Sequence, residues 1–402
     1  MQPTVRQGRH EPICARRRIT DGEPLWHRAV SCLLERGLHR RGSAPASPFV
    51  LERVRRVLVV RKDNLGDLLC TTPALRALRR ALPSAHIATL VADHCRPLLE
   101  RNPDVDEVLG WTKGKHASGA FGTGLPGRIS RLRSLQRQRY DLAITTHAPY
   151  NASAAWLAYA SGAVWRLGWP PPAGERLRFF LNLFAEPPGR DMHVVDANLL
   201  LLAAIGVPPA GRALTLVPDP GRVEALRRRL AAEAPAAGQF ALVHISSRRE
   251  ASRWPPSRFA EAAALLRDRL GVTILLSWAP GNAQNRLFPG DDGRAEEVAA
   301  QMPIRPILLA TPELADLVAA VSLSRVVLST DGGLMHIAAA LDVPQTVLFG
   351  RTEPVYWAPV SDKAIILQRG GHVENIDVRE VVDAAVRLVQ APGPEVQRGV
   401  RP

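Results

Sequence analysis

The sequence predicts an α/β chain built as two parallel-sheet halves in tandem, their sheets facing a central cleft. Three observations carry this expectation. Short apolar runs rich in Val, Ile and Leu recur along the chain, each bounded by turn residues, as buried parallel strands require. Segments of helical length separate them, which is the repeat that builds parallel sheets. The alternation halts in a stretch around 208–220 that opens and closes on proline, and then begins again.

Taken in order, residues 1–50 form a basic N-terminal extension with Arg16-Arg17-Arg18 and Arg40-Arg41. Leu25 to Leu38 reads either as an amphipathic helix whose basic face would lie on an anionic membrane, or as part of a disordered extension. The first domain, 51–210, opens with the strand Val57–Val60 and the turn Arg61–Asp67. A helix follows from Leu68 to Leu82, with Pro73 in its first turns. Next come a strand at His86–Ala92, a helix, a short strand at Glu107–Leu109 and a long loop. A helix over 128–139 leads to the strand Asp141–Thr145 and a helix over 152–161. The Pro/Gly-rich segment 169–190 reads as a surface excursion, and a helix over 194–205 closes the half. The second domain, 211–375, has strands at Ala241–Ile245, Val272–Ser277, Ile307–Leu309, Arg325–Ser329, Val343–Phe349 and Ala364–Leu367 with helices between them. A last helix and tail occupy 376–402. Each half is thus Rossmann-like, and ligands in such sheets sit at the carboxyl ends of the strands.

The most informative junction is Ser329-Thr330-Asp331-Gly332-Gly333-Leu334-Met335-His336, where a strand turns into an Ala-rich helix. Two glycines without Cβ atoms let a ligand approach the backbone. The helix start that follows offers free N–H groups and a partial positive charge to a phosphate. Asp331 suits sugar hydroxyls or, more plainly, serves as the helix N-cap. His336, one turn in, points back toward the same end. A second junction, Asn64-Leu65-Gly66-Asp67, places a carboxylate where it would take a proton from an acceptor hydroxyl, or where it would cap the next helix. In the second half Ser246, Ser247 and Arg253 follow a strand, a set of hydroxyls and a guanidinium able to clamp a diphosphate. Residues 113–139 hold seven Lys and Arg and no acid, among them Lys113, Lys115 and Arg128, and read as a cradle for an anionic acceptor. Gly122 to Gly127 matches GxGxxG, but no strand precedes it and Pro126 lies inside it, which removes a dinucleotide fingerprint. Asp291-Asp292 falls in a loop and is set aside as a metal pair, and no metal or cofactor is expected.

Net charge is +14 over 402 residues, so an anionic partner is expected. Aromatic content of 5% without an aromatic–basic motif argues against a nucleic-acid reader. The four cysteines, Cys14, Cys32, Cys70 and Cys95, form no CxxC pair, which fits a reducing compartment. Apolar runs are too short to span a bilayer, and no signal peptide is evident.

Together, Arg61-Lys62-Asp63-Asn64-Leu65-Gly66-Asp67 with Pro73-Ala74-Leu75, Arg253-Trp254-Pro255, and 329–336 with Leu348-Phe349-Gly350-Arg351-Thr352 resemble the heptosyltransferases, glycosyltransferase family 9. The resemblance covers about residues 55–390. It implies a GT-B fold and metal-independent, inverting transfer of a sugar from a nucleotide donor, typically ADP-heptose, to a lipopolysaccharide-type glycolipid. It further implies a cytoplasmic enzyme, peripheral on the inner face of the inner membrane. Asp67 matches the family's proposed base, and Asp331, Gly332, Gly333 and His336 its donor motif. Thr330, Ser246, Ser247 and Arg253 join the donor side, and Asn64, Gly66, Lys113, Lys115 and Arg128 the acceptor side. Two departures stand out: Ser252 replaces a lysine common two places before the tryptophan, with Arg249 or Arg253 to supply the charge, and Trp278–Asn282 lacks the usual acid. They motivate an alternative, a nucleotide-sugar-binding protein without turnover.

Overall fold

The computed structural model describes residues 6–7, 47–111, 125–147, 149–172, 178–189, 191–235, 238–281 and 290–390. The chain divides into two compact units between Arg212 and Ala213.

The first unit holds a seven-stranded sheet in the order β1-β7-β6-β5-β2-β3-β4. Its strands are β1 (Arg6–Gln7), β2 (Arg56–Arg61), β3 (His86–Ala92), β4 (Glu107–Trp111), β5 (Leu142–Thr145), β6 (Trp165–Gly168) and β7 (Leu183–Phe184). All pairings are parallel except β1 with β7. β2 is an interior strand between β5 and β3, and the five residues Val57 to Arg61 are buried, which is why it reads as an unbroken apolar run ending in one charge. The chain runs from β2 outward through β3 and β4, then crosses back to β5 on the other side. The loops after β2 and β5 therefore diverge at the carboxyl edge, where open parallel sheets form a ligand crevice.

Three expectations are corrected here. The single helix over 68–82 is two: α1 (Leu65–Leu69) and α2 (Thr72–Ala81). Pro73 lacks an N–H and its ring would strike the carbonyl of Leu69, so the helix stops and restarts with the proline in its first turn. The segment 169–190 is not a surface excursion throughout. Phe179, Phe180, Leu181 and Leu183 are buried, and the two Phe rings pack on Tyr159 of α4 (Ala152–Ala160). β6 went unread because Arg166 breaks its apolar run. Yet Arg166 is 3% exposed, its guanidinium donating to the carbonyls of Phe180, Ala163 and Val164, and burial lowers its pKa to about 10, so it stays charged. The rest of the unit comprises α3 (Leu125–Arg137) and α5 (Val194–Ala203), the latter packed on α2.

The second unit holds a six-stranded, wholly parallel sheet in the order β10-β9-β8-β11-β12-β13. These are β8 (Phe240–His244), β9 (Thr273–Trp278), β10 (Ile307–Ala310), β11 (Val326–Thr330), β12 (Gln345–Phe349) and β13 (Ala364–Gln368). Here the switch point lies between β8 and β11. Its helices are α6 (Pro220–Glu233), α7 (Pro256–Leu270), α8 (Asp292–Gln301), α9 (Leu314–Ser322), α10 (Gly333–Ala340), α11 (Pro354–Trp357) and α12 (Val378–Gln390). The helix α6 was not anticipated; few of its residues are buried, so its apolar stripe is faint. α12 belongs to this unit's core, with Val381, Val382 and Ala385 buried among residues of α7 and the sheet. α7 closes on Gly271 in the left-handed conformation at φ 63°, which a residue with a side chain rarely adopts.

Candidate functional site

At the carboxyl edge of the first sheet, β2 ends in Arg61, whose side chain is 3% exposed. Its guanidinium lies 2.7 Å from Asp67 Oδ1 and 3.0 Å from Asp63 Oδ1, and donates to the carbonyl of Thr146 just past β5. The other oxygen of Asp63 is 3.5 Å from His147 Nε2. Asn64 Nδ2 donates to Asp67 Oδ2 at 3.2 Å. Asn64 is the N-cap residue of α1 and makes no side-chain cap, while Asp67 lies a turn inside the helix. The plain capping role for Asp67 is thereby replaced: its carboxylate faces Arg61. Gly66 is buried within α1. Two thiols lie close by. Burial pushes Cys70 up to about 12, opposed by Arg61 and aided by Asp67. Burial likewise pushes Cys95 up to about 12, with Asp63 and Asp67 adding to it. Both shifts favour the protonated thiol over the thiolate.

At the carboxyl edge of the second sheet, β11 runs through Ser329 and Thr330 into α10. The hydroxyls of both residues are buried and make no hydrogen bond among the described residues. Gly332 is the N-cap of α10 with no side-chain cap, so Asp331 is not the cap either. A Cβ at Gly332 would meet only the Thr330 carbonyl at 3.8 Å. No neighbour among the described residues requires the glycine, and what it leaves open is the approach to the helix start. The Asp331 side chain is 8% exposed. It accepts from the Thr352 hydroxyl and lies 3.6 Å from Arg249 Nη1, which in turn donates to Thr352 Oγ1 at 2.8 Å. His336 is buried in α10.

The polar side chains of the loop after β8 are held by contacts within the unit. Ser246 Oγ accepts from the Ala279 N–H at 2.9 Å, and Ser247 Oγ donates to the Arg249 carbonyl at 3.3 Å. Arg253 is committed within the protein: its Nη1 lies 3.0 Å from Asp291 Oδ1, and its Nε donates to the Ser247 carbonyl at 3.0 Å. Asp291, set aside on sequence grounds as a loop residue, is 2% exposed and is the carboxylate that holds this guanidinium. Ser252, in place of lysine, is buried. It lies against Gly350, where a Cβ would stand 2.9 Å from the Ala251 carbonyl and 3.5 Å from Ser252 Oγ.

The structure therefore gathers Asn64, Gly66 and Asp67 at one switch point. At the other, Thr330, Asp331, Gly332 and Gly333 share the strand-to-helix edge with the loop carrying Ser246, Ser247 and Arg253. Lys113, Lys115 and the side chain of Arg128 lie outside the described residues, as does the 25–38 stretch. Arg61, Asp63 and His147 were missed as site residues. In the sequence Arg61 reads as the first residue of a turn and His147 as an isolated histidine; the sheet makes Arg61 the end of β2 and brings His147, just past β5, beside it. Among the described residues no group of three or more His, Cys, Asp or Glu could hold a metal ion. No described helix is long and apolar enough to cross a membrane.

Residues 128–381 match the family model described as glycosyltransferase family 9 (heptosyltransferase). The lipooligosaccharide heptosyltransferase 2 of Haemophilus influenzae is 27% identical over 325 residues, 78% of this chain and 88% of the relative. The crystal structure of the family 9 glycosyl transferase from Veillonella parvula superposes with a TM-score of 0.71 at 22% identity, covering 85% of this chain and 98% of the other. The E. coli heptosyltransferase WaaC with ADP gives a TM-score of 0.65 at 22% identity, covering 82% and 98%.

Proposed function

We propose, because this chain belongs to glycosyltransferase family 9, the heptosyltransferases, that it moves heptose from ADP-heptose to a lipopolysaccharide-type glycolipid. The chain is a glycosyltransferase with the α/β architecture of the GT-B class. The nucleotide is inferred from the relative solved with ADP, and the sugar from the relatives' names.

The observation that carries the reading is the start of α10. Its first amides follow a glycine that no described neighbour requires, at the switch point of a parallel sheet, with Asp331 beside it. In the proposed reaction those amides hold the diphosphate, and Asp331 and Thr330 meet donor hydroxyls. Asp67 takes the proton of the acceptor hydroxyl. The freed oxygen attacks the anomeric carbon from the face opposite ADP; the bond from that carbon to the diphosphate oxygen breaks, its electron pair leaving with ADP. A single displacement inverts the anomeric centre. The helix start and Arg249 supply the positive charge, so no metal is needed. Lys113, Lys115, Arg128 and the α3 face with exposed Arg133 and Arg137 are assigned to the acceptor's phosphates, with Asn64 and Gly66 beside the base. The net charge of +14 supports contact with an anionic membrane surface.

Replacing Asp67 with Ala is expected to lower kcat about 10²–10⁴-fold, the usual contribution of a positioned base, with ADP affinity unchanged. The assay is ADP release in EDTA with acceptor present, and the product anomer is read by NMR. Turnover near that of the parent would remove Asp67 as base, and loss of activity in EDTA would remove the metal-free mechanism.

A further inference from the structure

Arg61 bridges two carboxylates at one sheet edge, and the way it divides their oxygens bears on the transfer reaction. It is the last residue of the interior strand β2, nearly fully buried; it donates to Oδ1 of Asp67 at 2.7 Å, and its Nε lies 3.0 Å from Oδ1 of Asp63. Its remaining reach goes to the Thr146 carbonyl. On its other side Asp63 Oδ2 lies 3.5 Å from His147 Nε2. Asp67 Oδ2 meets the exposed Asn64 amide at 3.2 Å. Cys70 and Cys95 also face the cluster, and burial raises the pKa of both.

We propose that Arg61 is the positioning residue of the transfer reaction: by fixing Oδ1 of Asp67 it leaves Oδ2 as the oxygen that receives the acceptor proton. Asp63, His147 and the Thr146 carbonyl hold the guanidinium itself in place. The proposal rests on Asp67 being the base. A planar fork that donates to both the Asp67 carboxylate and the Thr146 carbonyl, with Asp63 at ion-pair distance, cannot be reproduced by an ammonium, which makes Arg61 and lysine unequal here.

The test is a double-mutant cycle of Arg61→Gln and Asp67→Asn, read as kcat for ADP release from ADP-heptose with a lipopolysaccharide-core acceptor. ADP affinity is titrated alongside. Arg61→Gln alone is expected to lower kcat on the order of 10²-fold, the usual effect of a misplaced catalytic group. ADP affinity is expected to stay constant, and the same change made on top of Asp67→Asn to lower kcat no further. Arg61→Lys should restore part of the loss. An equal drop in both backgrounds would show that Arg61 acts on the fold at large and would overturn the proposal, as would unchanged kcat in Arg61→Gln. If Arg61→Gln fails to fold, the cycle is run with Arg61→Lys and read by the same criteria. Parental turnover in Asp67→Asn would instead sink the base assignment, a separate outcome.

Discussion

Arg253 and Asp291 show how a single pairing redirects the meaning of a motif. An arginine beside a tryptophan at a strand end invites a role on phosphate, yet its guanidinium is 10% exposed and faces a carboxylate that is 1% exposed. Removing one member of a buried pair leaves the other charge without compensation. Asp291→Ala is therefore expected to destabilise the second unit by about 3 kcal/mol, the low end for removing one member of a buried pair, since Arg253 still donates to the Ser247 carbonyl and has the exposed Glu250 carboxylate 3.5 Å from its Nε. Thermal unfolding measures it, and Arg253→Met/Asp291→Leu should recover most of the loss. An unchanged melting temperature in Asp291→Ala would mean that the pair is not formed. Arg249 is the contrasting case. It is largely exposed, beside Asp331 and Thr352, and so remains able to meet a ligand's charge.

Among the structural elements, the strand-to-helix junctions were the legible part, because a glycine pair after a β-branched run has few alternatives. The departures were elements whose character comes from partners. Arg166 made β6 look polar, although in the fold it is a buried clamp on three carbonyls. α1 and α2 read as one helix because apolar spacing continues across Thr71 and Thr72, while Pro73 ends the hydrogen-bond ladder. The link between β9 and α8 illustrates a purely steric element. A Cβ on Gly290 would stand 2.1 Å from the carbonyl carbon of Gly281, where the chain closes on itself through Asp291 N–H to Ala279 O and Asp292 N–H to Gly281 O. Gly290→Ala should force this closure open at about 1–3 kcal/mol, the usual range for overpacking. Gly293→Ala, in the first turn of α8 with nothing within 4 Å of the new methyl, should instead stabilise by about 0.5–1 kcal/mol. Paired thermal melts decide it: equal behaviour of the two variants would refute the steric account.

For the molecule as a whole, the charge of +14 is a property of the chain that no single site explains. If an anionic lipid surface is its counterpart, as proposed, sedimentation with vesicles rich in anionic phospholipid should be strong at low salt. It should fall steeply as the Debye length shrinks from about 30 Å at 0.01 M to about 8 Å at 0.15 M. Binding that ignores salt, or is equal on neutral vesicles, would refute the electrostatic account. Composition and period determined the class of fold, its repetition and the two glycine-bearing junctions, because these depend on local spacing alone. The pairing of Arg61 with Asp67 and Asp63, the engagement of Arg253 by Asp291 and the burial of Arg166 were decided only in three dimensions. Asp63 and Asp67 stand only two and six residues from Arg61, but the Thr146 carbonyl that Arg61 meets, Asp291 beside Arg253 and the Phe180 carbonyl beside Arg166 come from distant parts of the chain, and a charge's role depends on which opposite charge or carbonyl the fold sets beside it.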